Sequence, residues 1–114
     1  MRFLMIYRPA APPAPPSAQH RADMEKFVDE LAKAGALIAR GGFLAASSGA
    51  RAQLADGKVT VSDGARPDSL ERAAGFALVQ AKSKDDAIAL AERFLEVAGD
   101  GESEIRPLME GPPT

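Results

Sequence analysis

One histidine, His20, stands in a chain without cysteine, whose sixteen Asp and Glu residues are dispersed along its length. The missing thiols exclude disulfides, thiolate catalysis and cysteine-ligated zinc. A single imidazole among scattered carboxylates has no recognisable metal-ligand spacing, so we expect no metal and no cofactor. What remains is acid–base chemistry. His20 lies three residues after Ser17, a residue type that caps helices, and so falls in the first turn of a helix. Positive charge is disfavoured at that end of a helix, which suits an imidazole acting as a base. The alternative is an exposed histidine at a helix start. Asp63, in Asp63-Gly64, is the second candidate. It either orients His20 or acts as a base itself, or it only caps a turn onto its own backbone. Together the two form at most a catalytic dyad, compatible with a lyase- or hydrolase-like step.

Four further side chains are candidates for holding a ligand. Arg40 precedes Gly41-Gly42, whose amides suit an anion, although the spacing is neither a phosphate loop nor a dinucleotide fingerprint. Arg66 offers a planar fork to an anion, or pairs with Asp68. Arg106 offers the same fork, or pairs with Asp63 or Glu71. Tyr7 ends an apolar run, and its hydroxyl either reaches a cleft or accompanies a packed ring.

The elements around these residues follow from pattern. Phe3–Tyr7 is an apolar strand. Five prolines between Pro9 and Pro16 exclude helix or central strand. Their P-x-x-P spacing reads as a stiff connector, or as a ligand for a proline-binding module. Ser17 opens a helix with Met24, Phe27, Val28, Leu31 and Ala34 on its apolar stripe, and Gly35 closes it. A strand follows in Ala36–Leu44, bulged at Gly41-Gly42. Ala50–Leu54 and Lys58–Ser62 flank Asp56-Gly57 as a hairpin. After a loop, Ala74–Ala81 is a central strand. Ser83 caps a second helix whose stripe is Ala87, Ile88, Leu90, Ala91, Phe94 and Leu95. Ser103–Glu110 is a last strand, with Pro107 marking an edge or an end. Without the hairpin this order is the ferredoxin-like β-α-β-β-α-β plan, an α+β fold with both helices on one face of an antiparallel sheet. The first and central strands are apolar on both faces, so we expect a homodimer through the free sheet face.

The totals agree with one domain over residues 1–114, with 46% hydrophobic and 26% charged residues. A net charge of −2 argues against nucleic acid and anionic membranes as partners. No run is long enough to span a bilayer, and the apolar start of the chain is too short for a signal peptide, so a cytoplasmic protein is expected.

Tyr7, Asp63-Gly64 with Asp68, Ser69 and Glu71, Gly75-Phe76, Asp86-Ala87 with Ala91, and Glu104-Ile105-Arg106-Pro107 occur in an order that resembles the YCII-related proteins, in the branch named for a DGPF motif. The resemblance covers essentially the whole chain. Ala65 and Arg66 stand where the motif has Pro and Phe, Leu70 where it has Lys, and Asp68 where it has Glu. The resemblance implies a dimeric α/β barrel and a largely undefined role: an enzyme with a His-Asp pair in some relatives, an association with sigma factors in others. Two readings follow. One is a small dimeric protein that binds a small polar or anionic molecule near His20 and Asp63, with or without chemistry. The other is a non-enzymatic interaction or regulatory module linked to transcription.

Overall fold

A computed structural model describes residues 1–12, 15–66, 70, 72–110. Pro13 of the proline run, and the loop residues Asp68, Ser69 and Glu71, lie outside the described residues. Strand β1 is Arg2–Pro9, helix α1 Ala18–Lys33 and strand β2 Leu37–Gly42. Strands β3 (Ala50–Ala55) and β4 (Lys58–Asp63) form the hairpin, and β5 is Gly75–Gln80. Helix α2 spans Lys84–Ala98 and β6 spans Gly101–Pro107.

Four strands form one antiparallel sheet in the order β2-β5-β1-β6, and β3-β4 stand as a separate pair. With the hairpin set aside, the last strand neighbours the first and the third separates the first from the second. That is the ferredoxin-like arrangement. Both helices lie over the face that carries Phe3, Met5, Ala77 and Val79; Phe3 is fully buried, and Ala87 and Ala91 of α2 complete the cluster.

Local chemistry sets the ends of the helices. The Ser17 hydroxyl accepts from the His20 backbone N–H at 3.0 Å. At the far end Gly35 adopts φ +73°, the Ala36 N–H bonds Leu31 O at 2.9 Å, and the Gly35 N–H bonds Ala32 O. This is a Schellman closure, which needs a residue that tolerates the left-handed region. Ser83 caps α2 by accepting from the Asp86 N–H at 3.2 Å. Phe27 and Leu31 of α1 are buried, whereas Ala34 is exposed as the cap residue and Ile88 of α2 is also exposed. Both fall at the margins of their stripes, where the helix turns away from the sheet.

One expectation needs correcting. The irregularity in β2 falls between Leu37 and Ala39, not at Gly41-Gly42, which pair regularly with Phe76 and Gly75. The glycines there answer to a close approach of two strands: a Cβ on Gly75 would stand 2.6 Å from Gly41 O.

The β3–β4 hairpin turns through Asp56 (φ 52°) and Gly57 (φ 77°), both in the left-handed region, as a two-residue type I′ turn requires. Its register puts Ala50, Ala52, Leu54, Val59, Val61 and Asp63 on one face and Arg51, Gln53, Thr60 and Ser62 on the other. Among the described residues no helix or other strand packs substantially against it. The molecule is accordingly extended, with a radius of gyration of 16.4 Å against roughly 13 Å for a compact chain of about this size.

Candidate functional site

Two adjoining cavities lie on the helix side of the sheet. The outer one, a cleft of about 620 Å³, opens where the chain leaves β1 and enters α1; His20, Tyr7, Asp100, Met24, Phe94 and Pro16 line it. Three elements meet there for a reason written in the sequence. Pro9 ends β1 and Pro16 directly precedes the helix cap, and both line this cleft. Ser17 then starts the helix so that His20 sits in its first turn, half-buried. The C-terminal end of α2 arrives from the opposite side, and Gly99 at φ 101° turns the chain so that Asp100 faces the same space.

Tyr7 forms the inner wall of this cleft. Its ring meets Phe94 edge to face at 5.1 Å, and its hydroxyl donates long hydrogen bonds of 3.4 Å to the carbonyls of Gly99 and Asp100. Burial first, and the Asp100 carboxylate second, raise the phenol above its usual value. Tyr7 therefore stays a neutral O–H donor. The cleft thus joins an imidazole, a phenol donor and a carboxylate beside an apolar wall.

The inner cavity, about 540 Å³, lies beneath α1 and is mostly apolar, with Phe27, Leu31, Leu37 and Leu90 among its walls and Tyr7, Arg40 and Ser103 as its polar residues. Tyr7, Met24, Ala74 and Phe94 line both cavities. Arg40 lines only the inner one.

The remaining candidates lie elsewhere. Asp63 ends β4, is exposed, and is absent from the lining of both cavities. Arg66 is exposed in the loop beyond the hairpin and has a partner. Arg106 is on β6 opposite Leu4, which puts it on the sheet face away from the helices. It bonds Glu104 at 3.1 Å, the neighbour two residues earlier in the strand. Glu104 also takes Arg8 of β1 at 2.8 Å, and hydrogen bonds from Arg106 and then Arg8 hold its carboxyl below the usual value. Arg106 thus pairs with Glu104, its neighbour on the same strand face, and among the described residues not with Asp63; Glu71 lies outside them. Among the described residues no three His, Asp or Glu side chains cluster as metal ligands.

Sequence reasoning passed over Asp100, which reads as part of a helix-ending Asp-Gly turn. The signal available was topological: in this fold the end of α2 returns beside the end of β1, where Tyr7 stands.

The family models match residues 1–111 to the YCII-related domain. The chain belongs to the YCII-related family. That membership covers both cavities and the hairpin, so the site described here is built wholly within the YCII-related domain. Among curated proteins, none matches this chain. No helix among the described residues is long and apolar enough to cross a membrane.

Proposed function

We propose that this YCII-related protein is a small homodimer that binds a small polar or anionic molecule in the cleft beside His20, where the imidazole serves as the acid–base group. One observation carries the reading: His20, the neutral Tyr7 phenol and Asp100 all line one cleft of about 620 Å³. An imidazole to exchange a proton, beside a phenol that can turn its O–H from the Gly99 and Asp100 carbonyls to a bound oxygen, suits a cofactor-free proton transfer, of lyase or hydrolase type. Asp63 enters this reading from a second copy. It shares the apolar face of the hairpin, so an arm laid across a neighbouring subunit carries its carboxylate along.

The test is a ligand-observed NMR screen of small carboxylates and phosphate, repeated with His20→Ala, Asp100→Asn and Asp63→Ala. Hits that weaken with His20→Ala and tighten with Asp100→Asn, which removes a like charge, support the cleft. Hits that bind all variants equally refute it, and an unaffected Asp63→Ala removes that residue from the site.

The hairpin favours a second reading, a protein-interaction module. A two-stranded hairpin is marginal in water by itself, and this one leaves Leu54, Val59 and Val61 between 64% and 71% exposed. A link to transcription would then run through protein contacts, since the net charge of −2 does not favour DNA.

A further inference from the structure

The bulge in β2 has a chemical effect. Along a regular strand, residues three apart point to opposite faces. Leu37 pairs with Val79 on the helix side, so a regular strand would send Arg40 to the far side. The extra residue between Leu37 and Ala39 shifts the phase, and Arg40 instead pairs with Ala77, a residue packed against the core under the helices. A bulge that re-aims one side chain is a recurrent device beside binding sites. Here it delivers a guanidinium to the rim of the inner cavity. No carboxylate among the described residues pairs with it.

The cavity has its own origin in the sequence. The helix-side positions beneath α1 are Gly42, Gly75 and Ala77, which supply almost no bulk. Phe27 and Leu31 descend from α1 and Leu37 rises from β2, so large apolar groups surround a floor of small ones. About 540 Å³ is left open, whereas a cavity of about 150 Å³ already holds one benzene. The result is a cation, with no carboxylate partner among the described residues, at the mouth of a largely apolar chamber.

We infer that the inner chamber binds an apolar monocarboxylic acid, with its ring or alkyl chain beneath α1 and its carboxylate on Arg40. The apolar part is taken by Phe27, Leu31, Leu37 and Leu90. The guanidinium holds the carboxylate by a bidentate, charge-assisted pair. The chamber disfavours strongly polar molecules, because apart from Arg40, Tyr7 and Ser103 its walls are apolar side chains and small residues. This assignment does not depend on chemistry at His20, which lies outside the chamber lining.

The probes are 4-phenylbutyrate, its neutral counterpart 4-phenylbutan-1-ol, and butyrate, followed by amide chemical shifts of the full-length protein. The acid is expected to bind saturably, shifting Leu31 and Ala77, more tightly than the alcohol and far more tightly than butyrate. Arg40→Gln, an exposed and fold-neutral change, is expected to weaken the acid by about tenfold or more and leave the alcohol unchanged. Ala77→Leu fills the floor and should abolish binding of both ring compounds. Absence of saturable binding at millimolar acid overturns the assignment. So does an Arg40→Gln variant that weakens acid and alcohol alike, or an Ala77→Leu variant that folds and still binds. The His20 cleft is read by its own screen of small anions, so either site can fail while the other stands.

Discussion

Val61→Asp tests the role of the hairpin directly. Leu54, Val59 and Val61 are 68%, 64% and 71% exposed on one face of a two-stranded arm. Fully burying a Val or Leu side chain is worth about 1.5–3 kcal/mol, so covering what each of these exposes contributes roughly 1–2 kcal/mol. Three residues then supply about 3–6 kcal/mol per arm, and symmetry doubles it to about 6–12 kcal/mol in a pair of copies. That is comparable to the ~4–15 kcal/mol cost of association, so in the proposed dimer covered arms would add enough to the free sheet face to tip the balance from monomer to dimer. Replacing Val61 removes about 2–4 kcal/mol per dimer from lost burial alone, which raises the dissociation constant roughly 30- to 700-fold. The buried carboxylate adds to that loss. Sedimentation velocity should find the wild type at twice the 11.9 kDa chain mass and Val61→Asp at the chain mass. Thr60→Asp, on the polar face, is the control and should leave the dimer intact. A wild type of single-chain mass at micromolar concentration would refute the reasoning, as would a Val61→Asp variant as dimeric as its parent.

Three other changes have defined outcomes. Gly75→Ala sets a Cβ 2.6 Å from a backbone carbonyl that cannot easily yield; overpacking of this kind destabilises by about 1–3 kcal/mol, and calorimetry should show a melting point lower by several degrees. Ser17→Ala removes the acceptor of the His20 N–H and should lower stability by about 0.5–2 kcal/mol, with amide shifts concentrated in the first turn of α1. Glu104 has a folded-state value held below normal by Arg106 and Arg8; its contribution is therefore present above the unfolded value, about 4.3, and is lost as pH falls through the lower folded one. Denaturant titrations from neutral to acid pH should show a shallower acid loss in Glu104→Gln than in the parent; parallel curves would remove Glu104 from the acid limb.

Features fixed by neighbours in sequence could be read without a structure. Ser17, Gly35, Ser83 and Asp56-Gly57 act on their own backbone, and each does what its residue type dictates. The strand order followed from the succession of elements. Features fixed by register could not be read. Two adjacent glycines draw a bulge toward themselves on propensity, yet the bulge sits at Ile38, where the phase of β2 against β5 is decided. Arg106 lies beside Glu104 in the strand, but Arg8 joins them only because β1 runs antiparallel to β6. Asp100 reaches the cleft through the packing of α2, a long-range contact with no local mark.

Tyr7 and Phe94 are a party wall. Their edge-to-face pair belongs to the lining of both the chamber and the cleft. An occupant that tilts either ring enlarges one space at the expense of the other. Occupancy of the two spaces is then thermodynamically linked, and whatever factor the first molecule imposes on the affinity of the second is returned in equal measure. An apolar acid under α1 would in this way set how readily the cleft beside His20 fills, without touching the histidine.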